Sequence, residues 1–218
     1  MLRAVSASVM TAARERARGQ EASANDVLLA ACYRAYAALP AVDEKAPMSI
    51  LSMMDLRRHC PGGVSEGLCN LSGSLPTTLR EGVTGSFADT LSAIAAQTRP
   101  LKADPLAGLA GLPLIHGFTR ALPLSVSLAL AKRVYGSMSL GLTNLGSAPD
   151  LALEGRSPAV MWFGGPMKKK PGMQVSAISH AGQCGLSITG TFTPEDEAAL
   201  SAYLDDVCRE IETFARSL

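Results

Sequence analysis

The last third of the chain leaves the least freedom. Gln174–Ser179 and Cys184–Phe192 each alternate apolar and polar residues, and Ala181-Gly182-Gln183 separates them. Alternation with a period of two, broken by a short Gly-containing gap, predicts a β-hairpin. Thr193-Pro194-Glu195-Asp196 then opens a helix. Thr193 is its cap, Pro194 takes the first helical position where a missing N–H costs nothing, and Asp196 and Glu197 place negative charge at the positive end of the helix dipole. Leu200, Tyr203, Leu204, Val207, Ile211 and Phe214 form one apolar stripe along it. That stripe must be buried against other elements, so the rest of the chain has to supply a layer for it.

Upstream segments supply the material. Leu2 to Arg18 is Ala-rich with interspersed Glu and Arg, and reads as a helix. Asn25 to Leu39 reads as a second, capped by Ser23 or Asn25 and stopped by Pro40. Met48–Met54 is a buried strand whose end carries the charged stretch Asp55–His59. A loop comes next at Pro61-Gly62-Gly63, then a strand within Gly67–Leu79 through Leu68, Asn70, Ser72 and Ser74. Ser86–Thr98 is a helix with Ser86 as cap. Pro100, Pro105 and Pro113 punctuate the next stretch, leaving helical segments at Leu106–Leu112 and Leu124–Tyr135. Ser137–Asn144 is a strand ending in a turn at Leu145–Asp150, and Ala159–Phe163 is another short strand. With no repeat and no linker, one α/β domain over residues 1–218 is the economical architecture: a two-layer sandwich of helices on a mixed, largely antiparallel sheet.

Composition narrows the function classes. Hydrophobic residues make up 47% of the 218 residues but aromatics only 5%, so the core is built from Ala, Leu, Val, Ile and Met. A net charge of +1 gives no footprint for nucleic acid. The basic run Lys168–Lys170 is either a solvated turn or an anion contact. Cys32, Cys60, Cys69, Cys184 and Cys208 are odd in number and never spaced CxxC, which argues against disulfide frameworks and zinc sites; Cys32 and Cys208 read as small buried hydrophobes. The expected setting is a reducing cytoplasm, with no membrane span and no metal.

Three common catalytic signatures are absent from the sequence: GxGxxG after a strand, GxxxxGK[ST] and HExxH. His59, His116 and His180 each stand alone and read as structural or surface residues. One of them acting with Cys60 or Cys69 is a further possibility, to be raised or lowered by thiol reactivity. Asp55 and Arg57 close a strand, where an ion pair can pin one element to another. Gly141-Leu142-Thr143-Asn144-Leu145-Gly146 is either a plain strand-to-turn transition or a narrow wall whose Thr143 and Asn144 donate hydrogen bonds to a carbonyl or its oxyanion.

The order of these segments carries a resemblance. Ala24-Asn25-Asp26-Val27-Leu28-Leu29-Ala30-Ala31 resembles the N-D-x-L-x-A-A helix of condensation-type acyltransferases, and Met54-Asp55-Leu56-Arg57 their D-x-R strand. Gly67-Leu68-Cys69-Asn70 resembles their G-x-x-N strand, and Thr143-Asn144-Leu145-Gly146 their S-N-x-G segment. From Ala24 to Phe214 the chain resembles the C-terminal half of the chloramphenicol-acetyltransferase-like superfamily, which includes condensation domains, alcohol acetyltransferases and wax-ester synthases. The resemblance implies half of a coenzyme-A-dependent acyltransferase fold. It also implies acyl transfer from acyl-coenzyme A or an acyl-carrier thioester to a hydroxyl or amine. In that family the general base belongs to an HHxxxDG motif in the other half, and this sequence has no HH pair. By the same resemblance Thr143, Asn144 and Gly146 line the acyl tunnel, and Arg57 pairs with the aspartate of the absent motif. The implied partner is an N-terminal half protein or a second copy of the chain. The alternative is a non-catalytic binding or self-associating module.

Overall fold

A computed structural model describes residues 1–60, 71–104, 107, 117, 120–136, 138–149, 151–152, 154–166 and 172–217. In order, the elements are β1 (Leu2–Val5), α1 (Ala7–Gly19), α2 (Ala24–Ala37), β2 (Met48–Asp55), a 3-10 turn (Leu56–His59), β3 (Ser72–Leu79) and α3 (Phe87–Ala103). They continue with α4 (Leu124–Gly136), β4 (Leu140–Ser147), β5 (Met173–His180), β6 (Gln183–Gly190), a 3-10 turn (Pro194–Asp196) and α5 (Glu197–Arg216). The expected loop at Pro61-Gly62-Gly63, helix at Leu106–Leu112 and basic run Lys168–Lys170 lie outside the described residues, as do His116 and Cys69.

The strands form one sheet in the order β1-β6-β5-β4-β2-β3. β1–β6, β5–β6 and β2–β3 are antiparallel, while β4 runs parallel to both β2 and β5. The sheet is therefore mixed and largely antiparallel, flanked by helices, as the sequence implies. The hairpin is closed by Ala181 at φ 48° and Gly182 at φ 82°, two consecutive left-handed residues whose twist suits a two-residue connection.

Alternation sorts the core. Met173, Val175 and Ala177 of β5 and Cys184, Leu186 and Ile188 of β6 join the same cluster as Met10 and Ala13 of α1, Leu28 and Tyr33 of α2, Leu91 of α3 and the Leu200–Phe214 stripe of α5. Helix α2 lies deepest, burying nine of its residues. The Tyr33 hydroxyl reaches the sheet, accepting from the Ile50 N–H at 3.0 Å and donating to the Thr77 carbonyl at 2.5 Å. Ile50 and Thr77 are register partners, so one side chain serves both strands.

Four expectations need correction. Leu2–Val5 is a strand, not the first turn of a helix: it pairs with β6, and the Ser6 hydroxyl then caps α1 by accepting from the Val9 N–H. The helix expected to stop at Thr98 continues to Ala103 through Pro100, because the Asp104 N–H still finds the Pro100 carbonyl and only the last turn is affected. The strand of the second half reads Leu140–Ser147 instead of Ser137–Asn144. It passes the expected turn by an irregularity between Asn144 and Ser147, where Gly146 sits at φ 73°. The strand expected within Gly67–Leu79 is Ser72–Leu79, and Gly67–Asn70 lie outside the described residues. Ala159–Phe163 is irregular: it crosses the sheet face opposite the helices, with the Phe163 carbonyl accepting from the Ser187 hydroxyl. This crossing explains why all eight residues of β5 are buried. It also explains Gly185, where a Cβ would collide with the Met161 carbonyl oxygen.

Candidate functional site

β2, β4 and β5 run parallel, so their carboxyl ends gather on one edge of the sheet. Ligands of open α/β sheets settle at that edge. β2 ends there in Asp55, β4 in Asn144–Ser147 and β5 in His180. The last paired positions of β2 and β4 are Ser52 and Leu142, and Met54 and Asn144 each stand two residues beyond.

Asn144 is held on both sides of its amide. Its Nδ2 donates to Asn25 Oδ1 at 3.2 Å, and its Oδ1 accepts from the Gly146 N–H at 2.9 Å. Gly146 can present that N–H because it adopts a left-handed conformation. One amide N–H of Asn144 is used on Asn25, and among the described residues the other has no acceptor. Thr143 points to the opposite face, as the strand period requires, and its hydroxyl accepts from Gln174 Nε2 at 2.7 Å. Of the three residues assigned to the tunnel, the structure thus joins Asn144 to Gly146 and sets Thr143 apart.

Asp55 and Arg57 form a local ion pair at 3.2 Å, and Asp55 also accepts from the Arg57 N–H, so the carboxylate caps its own 3-10 turn. Both side chains are exposed.

Asn25 belongs to a helix start that is locked in place. Asp26 is 2% exposed and accepts from the Ser23 N–H at 2.8 Å, the Ser23 hydroxyl at 2.7 Å, the Thr98 hydroxyl at 2.7 Å and Lys102 Nζ at 2.8 and 2.9 Å. Burial pushes this carboxyl up, but Lys102 and Ser23 together outweigh it and hold the group below its ordinary value. The cluster ties the start of α2 to the end of α3. A depression of about 320 Å³ opens beside it, lined by Glu21, Ser23, Asp26, Arg99 and Lys102. Its two cations are ion-paired to Glu21 and Asp26, which makes it a structural joint.

His180 is 3% exposed, with Nε2 3.1 Å from the Ser157 hydroxyl and Nδ1 without a partner among the described residues. Burial pushes the Cys32 thiol up to about 12 and the Cys208 thiol to about 11, and also raises Cys184, so these cysteines are poor nucleophiles. Among the described residues no three His, Cys, Asp or Glu side chains are grouped to hold a metal ion, and no helix is long and apolar enough to cross a membrane.

The roles of Asn25 and Asp26 escaped the sequence reading, although the Ser23-x-x-Asp26 spacing is a capping signature. Nothing local announces Lys102 or Asn144 as their partners.

No family model matches the sequence, and no curated protein sequence matches it. Solved structures do. Polyketide synthase associated protein 5 from Mycobacterium tuberculosis superposes with a TM-score of 0.65 at 17% identity, over 99% of this chain and 51% of that one. The trichothecene 15-O-acetyltransferase of Fusarium sporotrichioides gives 0.65 at 12% identity, over 98% and 46%. The condensation domain of the monacolin K polyketide synthase gives 0.64 at 14% identity, over 99% and 46%. The chain therefore shares its fold with these acyltransferase and condensation-domain structures. The chain spans about half the length of the acetyltransferase and the condensation domain it matches.

Proposed function

We propose that this chain is the C-terminal half of an acyltransferase that moves an acyl group from a thioester to a hydroxyl or amine. The observation that carries the reading is the fit of nearly the whole chain to about half of each matched acyltransferase. The sequence, with three isolated histidines and no HH pair, has no general base of the family's kind. The base therefore comes from the second half.

In this reading the base takes the acceptor's proton as its oxygen or nitrogen attacks the thioester carbonyl. Charge gathers on the carbonyl oxygen, and the free N–H of Asn144 donates to it. Collapse of the tetrahedral species expels the thiol, which recovers the proton from the base. Asn25 and the Gly146 N–H fix the Asn144 amide so that no reorientation is needed during the step. Acyl-coenzyme A and an acyl-carrier thioester are both suitable donors.

The absence of the HH pair also favours a second reading, a non-catalytic module that binds acyl groups or self-associates. Native mass spectrometry of the protein isolated from its source cells, followed by a thioester turnover assay, separates the two. Association with a half bearing HHxxxDG, together with turnover, supports the acyltransferase. A monomer or homodimer without turnover supports the binding module.

A further inference from the structure

Helix α4 differs from every other helix of the chain. Helices α1, α2, α3 and α5 each bury a row of side chains in the core, whereas α4 packs closely on no other element among the described residues. Leu124, Val126 and Leu128 are 70%, 42% and 49% exposed. Leu124 and Val126 point about 200° apart around the helix, so apolar side chains face solvent on nearly opposite sides. An apolar helix of this kind is normally covered.

Charge marks what covers it. Between Asp104 and Asp150 the sequence has no Asp or Glu, although the whole chain carries 19 of them against 20 Lys and Arg. The cations in that interval are Arg120, Lys132 and Arg133, all exposed at or beside α4.

We infer that α4 is the element on which the second half of the fold docks, and that it is received by an apolar groove with an acidic rim. This rests on the acyltransferase-half reading, and it adds the surface and its charge. A second copy of the chain is a poor occupant, because contact through α4 brings together two surfaces that carry Arg120, Lys132 and Arg133 and no acid between Asp104 and Asp150. A lipid surface is a poor occupant as well. A helix lying on a membrane gathers its apolar residues on one face, whereas a groove can enclose Leu124 and Val126 on both sides. The matched proteins contain about as much chain again, enough to supply such a groove.

The test places a photo-crosslinking p-benzoylphenylalanine at Val126 or Leu128, with exposed Ala202 on α5 as the control position, in the protein expressed in its source cells. Crosslinks from Val126 and Leu128, but not from Ala202, to peptides of a half carrying HHxxxDG are expected, whether that half is a separate chain or part of a longer one. The Lys132→Glu/Arg133→Glu variant should weaken the purified complex about tenfold at low salt and less at high salt, with an unchanged circular-dichroism melt. Crosslinks to a second copy or to lipid alone overturn the inference, as does unchanged affinity in the charge-reversed variant. An intact complex whose crosslinks come from Ala202 overturns the role of α4 but leaves the two-half reading standing. Absence of any second half removes that reading itself.

Discussion

Asp26 and Asp55 stand at the same end of the molecule, each in a short motif that signals the fold, yet their surroundings are opposite. Asp26 is buried and accepts from Ser23, Thr98 and Lys102. Asp55 is exposed and, among the described residues, bonds within its own turn to Arg57. A buried carboxylate is tolerated only where donors replace its water, and those donors then become essential. An exposed pair holds little energy because water competes for both partners. The first aspartate therefore belongs to the fold, and the second is available for something outside the described contacts.

Removing either partner of the buried pair should have the largest effect. Asp26→Ala strands Lys102 beside Thr98, and the expected loss is about 3–5 kcal/mol of unfolding free energy, the range for breaking a buried ion pair. Urea denaturation measures it. A loss under about 1 kcal/mol would place Asp26 in the exposed class with Asp55.

Tyr33 offers a neutral counterpart. Tyr33→Phe removes the hydroxyl that serves both the Ile50 N–H and the Thr77 carbonyl. Leaving two buried backbone groups short of a partner should cost about 1–3 kcal/mol with little change in packing. A neutral outcome would mean that β2 and β3 close on each other without the bridge.

Acid titration tests the same contrast through the proton. Because the folded Asp26 carboxyl lies below its unfolded value, its contribution is complete above about pH 5 and is lost as the pH falls through the folded value. Asp89, Asp196 and Asp205 are also lowered, each by a hydrogen-bonding neighbour, so the wild-type protein should destabilise below about pH 4 from several sites. In Asp26→Asn the difference from wild type should be greatest near neutrality and shrink toward acid. A constant difference across that range would show that the carboxyl's charge is not what Lys102 recognises.

Local signals made much of this fold legible. The hairpin and the Ser86 cap depend on residues a few positions apart, and the structure has both, while Thr193 opens a 3-10 turn that leads into the last helix at Glu197. What escaped depends on distant residues. Leu2–Val5 suits a helix by composition and is a strand because β6, far along the chain, offers it an edge. Lys102 finds Asp26 across 76 positions, and Asn144 finds Asn25 across 119. The Asn144 segment was legible as a motif, but its division into a helix-side Asn144 and an opposite-facing Thr143 comes from a register that only the assembled sheet sets. The exposure of Leu124, Val126 and Leu128 on α4 was equally hidden.

The smallest expected effect on the fold is at Arg57, and it is the most informative about function. The Arg57 and Asp55 side chains are 41% and 65% exposed, so losing their ion pair in Arg57→Ala should change stability by about 0–1 kcal/mol. If Arg57 also meets an aspartate of the second half, the same change should weaken assembly well beyond that, because the pair would be desolvated on docking and the partner carboxylate left buried alone. Comparing the urea midpoint of the isolated chain with the dissociation constant of the assembled protein separates the two roles. Equal losses would leave Arg57 no separate role between the halves. A near-silent melt with a much weaker complex would instead assign this arginine to the contact between halves.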